Sequence, residues 1–117
     1  RVVSSPLKRA FETAEALGDV LVTTGPVETN VTLAPDAMPE DTVDWLHGQA
    51  DAALVLVGHM PNLAELASLL LCGTAHAGID FSKCGACSLV FEQAVQTGTG
   101  ILEWFLKDSI LRRMAEV

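Results

Sequence analysis

The stretch Ala53–Leu63, with the sequence ALVLVGHMPNL, decides the fold of this chain. Its first five residues are all apolar, a run that is too short for a helix and that suits a strand buried on both faces of a parallel sheet. Gly58 allows a sharp turn, and Pro61 suits the first turn of a helix because its missing N–H would be unpaired there. The stretch therefore predicts a strand, a tight turn and a helix, with His59 at the carboxyl end of the strand.

The helix that follows has an apolar face at helical spacing, formed by Leu63, Leu66, Ala67, Leu70 and Leu71. In open α/β sheets, ligands bind at the carboxyl ends of the strands, and a helix N-terminus favours an anion. We therefore expect His59 to lie beside an anionic ligand.

The composition fits one folded domain over residues 1–117. Hydrophobic residues make up 50% of the chain and charged residues 19%, which is enough apolar side chain for one core. No apolar run reaches the roughly 18 residues that a membrane span needs. The formal net charge of −8 argues against nucleic acid or an anionic membrane as a partner.

The cysteines indicate a reducing compartment, and we expect a cytoplasmic protein. There are three of them, Cys72, Cys84 and Cys87, and an odd number without a secretion signal does not suggest a disulfide framework. Cys84 and Cys87 have the spacing of metal ligands, with His76 nearby. A single such pair is a weak zinc signal, so we expect no metal.

The start of the chain resembles the end of a core strand. Arg1 leads directly into Val2–Ser4, and a domain rarely begins in the middle of such a strand. We therefore expect further sequence before Arg1. Ser5 and Pro6 are expected to open a helix, as cap and first residue, and Gly18 is expected to end it.

The same signals divide the rest of the chain into alternating strands and helices. The resulting order, β-α-β-α-β-α-β-β-α, predicts an α/β layered fold with a mostly parallel sheet and an antiparallel strand pair near the C-terminus. The predicted elements are a strand at Val20–Val22 or, preferably, Val27–Leu33, a helix from Pro39 to near Gly48, the Ala53 strand, a helix from Asn62 stopped by Gly73, a loop over Thr74–Lys83, strands at Ala86–Glu92 and Ile101–Leu106, and a helix at Asp108–Ala115.

Two junctions share one geometry, because Ser4–Pro6 and Gly58–Pro61 both lead from a strand end into a proline-started helix. If the two strands are parallel, both junctions lie at the same edge of the sheet. Arg9 would then lie in the first turn of one helix and His59 at the start of the other. A guanidinium, an imidazole and free helix N–H groups together suit a phosphoryl group.

Two further residues of these junctions are candidates to bind phosphate. Ser5 lies at the end of the first strand, and Asn62 lies in the first turn after His59. For Asn62, capping of the helix is an equally good interpretation.

The two junctions also resemble a known family. Val2–Ala14 resembles the SPLxRAxxTA segment of the histidine phosphatase superfamily, and Val55–Pro61 resembles its second-histidine segment. The proline two residues after His59, the segment Gly78–Lys83 and the strand Ile101–Leu106 resemble the small SixA-type phosphohistidine phosphatases. The likeness covers nearly the whole chain in the same order.

This resemblance implies a three-layer, phosphoglycerate mutase-like sandwich whose first strand and helix are missing here. It implies a phosphatase without metal or organic cofactor, acting through a phosphohistidine intermediate on phosphohistidine in signalling proteins. Arg9 would be the second phosphate-binding arginine, and His59 the second histidine of the pocket. Both would be catalytic.

The sequence departs from the family at the nucleophile. The family's nucleophilic histidine belongs to an Arg-His-Gly motif, and this triplet does not occur in the chain. His47 follows a leucine and His76 lies in a predicted loop, so neither fits the position. We therefore expect a chain that lacks its N-terminal part and that holds the phosphate pocket without the nucleophile.

Two alternatives remain open at this stage. One is a non-catalytic module that binds phosphate. The other is a broad-specificity phosphatase of the same superfamily for small phosphorylated molecules, which would need an acid over the pocket. Glu40 and Asp41 are the candidates for this acid, although acidic residues also suit the first turn of a helix.

Overall fold

The computed structural model describes residues 1–23, 25–79 and 85–115, apart from the side chain of Leu111. The order of strands and helices in this part of the chain is the predicted one. The strands are β1 (Val2–Ser4), β2 (Glu28–Thr29), β3 (Val55–Val57), β4 (Ala86–Val90) and β5 (Ile101–Leu106), and the helices are α1 (Lys8–Val20), α2 (Pro39–His47), α3 (Asn62–Cys72) and α4 (Asp108–Ala115).

The strands form two sheets. The first is parallel, with the order β2-β1-β3, and Val3 of β1 lies opposite both Glu28 and Leu56. The second is the antiparallel pair β4-β5, with an irregularity in register between Ser88 and Leu89. The predicted parallel sheet and antiparallel pair are both present, and within the described residues no strand joins them.

Helices cover both faces of the parallel sheet, which explains why Val55, Leu56 and Val57 are all apolar. The strand is shorter than predicted, since it begins at Val55 and Ala53 is exposed outside it. Val55 and Val57 lie in the cluster that contains Ala10 and Ala14 of α1. Leu56 packs instead with the cluster formed by α2 and α3. Because successive side chains of a strand point to opposite faces, α1 lies on one side of the sheet and the α2–α3 pair on the other.

The first helix differs from the prediction at both ends. It begins at Lys8, since Pro6 lies in a bend and Leu7 has extended backbone angles (φ −72°, ψ 143°). It also continues through Gly18 to Val20 and ends with the N–H of Leu21 bonded to the Leu17 carbonyl. Gly18 is therefore an interior helix residue, and a Cβ there would lie 3.4 Å from the Cγ2 atom of Val27.

The second strand is shorter than predicted because a side chain ends it. The Oδ1 atom of Asn30 accepts a hydrogen bond from the N–H of Thr32 at 2.9 Å, and a 3-10 turn follows at Val31–Leu33. Asparagine side chains commonly divert the backbone in this way. Neither predicted range is therefore a full strand, and Val20 belongs to α1.

Most of the other boundaries agree with the prediction. Helix α2 begins at Pro39 with Glu40 in its first turn and is followed by Gly48. Gly73 ends α3 in the left-handed conformation, with φ of +79°. Pro61 lies immediately before α3 rather than within its first turn, and β4 ends at Val90 rather than at Glu92.

None of the described helices is long and apolar enough to cross a membrane. The predicted loop at Thr74–Lys83 can be followed only to residue 79, and its remainder lies outside the described residues.

Candidate functional site

Parallel pairing of β1 with β3 brings the two junctions to one edge of the sheet. Ser4 lies opposite Val57 in the register. The pairing continues by one further bond, because the N–H of Ser5 donates to the carbonyl of Val57 at 2.8 Å. The residues that follow the two strands therefore emerge side by side, as the sequence predicted.

Ser5 and His59 are in direct contact at this edge. The Nε2 atom of His59 lies 2.8 Å from the Oγ atom of Ser5. Ser5 is fully buried, whereas His59 is partly exposed. The carbonyl of His59 accepts the N–H of Leu63 at 2.9 Å, which fixes the histidine to the start of α3.

Ser5 is held from several directions. Its Oγ atom also accepts the N–H of Leu7 at 3.2 Å. The hydroxyl of Ser4, which is itself fully buried, donates to the carbonyl of Ser5 at 2.8 Å. The polar groups of this turn are therefore paired within the protein, as buried polar groups require.

Arg9 lies in the first turn of α1 and is exposed. Within the described residues, its guanidinium takes part in no hydrogen bond or ion pair. The adjacent Lys8 differs, because its ammonium lies 3.8 Å from a carboxylate oxygen of Glu12. Arg9 is thus a cation without a protein partner in the described part of the chain, and the structure shows no contact between it and His59.

The side chain of Asn62 binds the loop before α2. Its Nδ2 atom lies 3.0 Å from the carbonyl oxygen of Pro35 and 3.1 Å from that of Ala37. The donor group that could bind a phosphoryl oxygen is therefore engaged with the backbone in this structure. It joins the loop at residues 34–37 to the start of α3.

The acidic candidates Glu40 and Asp41 lie in the first turn of α2, where both are exposed. This is the position that the helix dipole favours for a carboxylate. Neither carboxylate takes part in an ion pair among the described residues.

A cluster around Arg1 was not recognised from the sequence. The guanidinium bonds Glu28 at 2.7 Å, Asp51 at 2.7 Å and Gln49 at 2.8 Å, and it lies 5.8 Å from the ring centre of Trp45. Hydrogen bonds to Glu28 and Asp51 raise the pKa of Arg1 above its usual value. Because Arg1 precedes β1, this cluster lies at the opposite end of the strand from Ser5. The sequence signal for this cluster is weak, because its acidic residues Glu28 and Asp51 lie far from Arg1 along the chain.

No metal-binding cluster of histidine, cysteine and carboxylate side chains occurs in the described ranges. Cys84, which completes the CxxC pair, and Lys83 lie outside those ranges. Burial raises the pKa of the Cys87 thiol. Cys87 lines a separate cavity of ≈ 390 Å³ between α3 and the β4–β5 pair, together with residues such as Ala67, Ile79 and Phe105.

Comparison with known proteins shows a likeness to solved structures. No family model and no curated protein matches the chain. A solved structure of the protein histidine phosphatase SixA, complexed with tungstate, matches with a TM-score of 0.80 and 24% sequence identity. The match covers 95% of this chain and 70% of the SixA chain. The chain therefore has the fold of the protein histidine phosphatase SixA.

Proposed function

We propose that this chain is part of a phosphohistidine phosphatase of the SixA type and that it carries the phosphate-binding part of the active site. The observation that carries the proposal is the contact between Ser5 and His59 at the end of two parallel strands. The guanidinium of Arg9, which has no partner among the described residues and lies at the start of the next helix, supports it. The SixA fold supports it independently.

The proposed site binds a phosphoryl group and stabilises its negative charge. Arg9 donates charge-assisted hydrogen bonds to the oxygens of a phosphoryl group. His59 donates a further hydrogen bond, and the N-terminus of α3 adds a favourable dipole. These groups stabilise the negative charge on the phosphoryl oxygens while the group is transferred. Catalysis of phosphoryl transfer consists largely of such positioning and electrostatic stabilisation.

The proposed reaction passes through a phosphorylated histidine of the enzyme. In this proposal the nucleophile belongs to an Arg-His-Gly motif, and no such triplet is present among these 117 residues. The nitrogen of a phosphohistidine substrate is a good leaving group, so a strong general acid is less needed. Exposed Glu40 and Asp41 are therefore not assigned a role.

The proposed substrates are phosphohistidine residues of signalling proteins, and the proposed location is the cytoplasm. The matched SixA structure contains tungstate, a tetrahedral oxyanion with the shape and charge of phosphate. We expect the site formed by Ser5, Arg9 and His59 to bind the same oxyanion.

Binding of tungstate, measured by isothermal titration calorimetry, tests the proposal on the chain itself. We expect one site, weakened at least about tenfold by His59→Ala, because a hydrogen bond to a charged group contributes about 1.5–3 kcal/mol. His76→Ala is the matched control, since His76 lies in a different loop. Equal affinities in the two variants would contradict the assignment of His59.

Hydrolysis of phosphohistidine tests the reaction. We expect little or no turnover by this chain, and turnover that depends on His59 in a version extended upstream in its natural reading frame. Efficient hydrolysis by the chain alone would show that another residue attacks phosphorus.

The absence of Arg-His-Gly from the sequence also favours a second candidate, a phosphate-binding module without turnover. Tungstate binding combined with an inactive extended chain would favour this module. Efficient hydrolysis of small phosphate esters by the extended chain would favour a broad-specificity phosphatase instead.

A further inference from the structure

The hydroxyl of Ser5 has two hydrogen-bond partners and one proton to donate. The backbone N–H of Leu7, at 3.2 Å, can only donate, so it occupies a lone pair of the Oγ atom. The other neighbour is the Nε2 atom of His59 at 2.8 Å. No third partner of this hydroxyl occurs among the described residues, so its proton is available for Nε2.

This arrangement favours one form of the neutral imidazole. If Nε2 carried the proton, it could donate to the second lone pair of the Ser5 oxygen, but the buried hydroxyl proton would then have no acceptor among the described residues. If Nε2 accepts that proton instead, both polar groups are satisfied and the proton of neutral His59 lies on Nδ1. Within the described residues, Nδ1 has no hydrogen-bond partner, and the ring is partly exposed. The Nδ1–H group is therefore free to donate to a ligand.

We propose that Ser5 is a positioning residue that holds neutral His59 in the Nδ1–H tautomer, so that Nδ1–H donates to an oxygen of the bound oxyanion. Free histidine in water prefers the Nε2–H tautomer, so Ser5 reverses the ordinary preference. The identity of the ligand rests on the proposed function, whereas the tautomer does not.

Ser5 is suited to this task because it is buried and fixed. It has 0% exposure, so water does not compete for the contact. Its N–H is bonded to Val57 and its carbonyl to the Ser4 hydroxyl, which leaves the serine little freedom to move. A donor held in place before the ligand arrives costs no reorganisation when charge develops.

The contact also holds when His59 is protonated. The imidazolium carries protons on both nitrogens, and its Nε2–H can donate to the second lone pair of the Ser5 oxygen. The ring keeps its orientation in both states, and Nδ1–H remains a donor in both.

Nitrogen-15 NMR of the histidine rings tests this inference without any ligand. Spectra are recorded at increasing pH until the ring signals no longer change, and the signals of His59 are assigned by their loss in His59→Gln. We expect an unprotonated Nε2 in the unmodified chain. An Nε2–H tautomer there would overturn the inference, since the tautomer is read on the unmodified chain.

Variants of two buried serines separate positioning from a general structural effect. We expect Ser5→Ala to move His59 toward the Nε2–H tautomer and Ser5→Thr, which keeps a hydroxyl, to restore the Nδ1–H form. Ser68→Ala removes another buried hydroxyl, which bonds Thr74 and Ala77 and contacts neither Ser5 nor His59, and should leave the tautomer unchanged. An unchanged tautomer in folded Ser5→Ala would contradict the inference.

Addition of tungstate then separates this inference from the proposed function. We expect tungstate to shift the Nδ1 signal of His59 and to bind several-fold more weakly to Ser5→Ala. If the tautomer is as expected but tungstate leaves His59 unaffected, the proposed function fails while the role of Ser5 in setting the tautomer stands.

Discussion

The Oγ atom of Ser5 and the Nε2 atom of His59 lie 2.8 Å apart, although 54 positions separate the two residues. Parallel pairing of β1 with β3 produces this contact, because it aligns the strand ends that precede the two residues. Arg9 lies in the first turn of the helix that follows one of these strands, and Asn62 begins the helix after the other. The candidate site is thus a property of two adjacent strand ends.

The neighbouring cations of α1 should contribute unequally to oxyanion binding. We expect Arg9→Ala to weaken tungstate binding by about 10- to 100-fold, because a hydrogen bond from a charged donor contributes about 1.5–3 kcal/mol. Lys8→Ala is the matched control, because Lys8 is also exposed and its ammonium lies beside Glu12. The affinity of this variant for tungstate should change by less than about twofold. Calorimetry measures the affinity of both variants for tungstate. A larger loss of affinity in Lys8→Ala than in Arg9→Ala would refute the role of Arg9.

Asn62 should stabilise the fold through its donor group. Asn62→Asp replaces the NH₂ that faces the carbonyls of Pro35 and Ala37 with a carboxylate oxygen, so we expect about 2 kcal/mol less stability at pH 7. Asn30→Asp is the control, because Asn30 uses its oxygen as an acceptor and an aspartate keeps that acceptor. In urea unfolding, Asn30→Asp should change the free energy of unfolding by less than about 0.5 kcal/mol. Equal losses would argue against the assigned contacts.

Two threonines of the same region should respond oppositely to loss of the hydroxyl. Among the residues that the structure describes, the buried Oγ1 atom of Thr32 has no hydrogen-bond partner, so Thr32→Val should be neutral or stabilise the protein by up to about 1 kcal/mol. The hydroxyl of Thr42 donates to the Thr32 carbonyl at 3.0 Å, so Thr42→Val should cost about 1 kcal/mol. Thermal unfolding compares the two. A destabilised Thr32→Val together with an unaffected Thr42→Val would reverse the expectation.

The glycines that follow α2 and α3 should differ in their tolerance of alanine. Gly73 has a φ of +79°, and no atom of the described residues lies within 4 Å of an added Cβ, so Gly73→Ala should cost about 1–2 kcal/mol through the backbone alone. Gly48 has right-handed helical angles, and an added Cβ there would lie 3.7 Å from the Trp45 carbonyl. Gly48→Ala should therefore be neutral or stabilise by about 0.4–1 kcal/mol. The midpoints of denaturant unfolding compare the stability of the two variants. A Gly73→Ala variant that is more stable than Gly48→Ala would exclude the left-handed conformation at Gly73.

The two cysteines whose surroundings the structure describes should be alkylated at different rates. Cys72 is exposed, whereas burial raises the pKa of the Cys87 thiol. Because the thiolate is the reactive form, a raised pKa reduces its fraction at a given pH and displaces the rate curve to higher pH. We expect iodoacetamide to label Cys72 faster, measured by mass spectrometry between pH 7 and 9 in a Cys84→Ser background. Faster labelling of Cys87 would contradict its burial.

Local signals in the sequence determined much of the fold. The apolar run before Gly58 predicted a strand covered on both faces, and the structure places α1 on one face and the α2–α3 pair on the other. Gly73 predicted the end of α3. Signals of this kind act over a few residues, so they can be recognised without knowledge of the fold. Gly18 was misinterpreted because the helix continues through it beside Val27, a contact that no local pattern reveals.

The sequence by itself also selected the residue types of the candidate site, since Ser5, Arg9, His59 and Asn62 all lie where a strand leads into a helix. Only the tertiary structure decided how they are used. Pairing of β1 with β3 placed Ser5 against His59, the loop before α2 engaged the amide of Asn62, and Arg9 kept an exposed guanidinium. The partner of a side chain depends on which distant segments the chain brings together, and spacing along one segment does not contain that information.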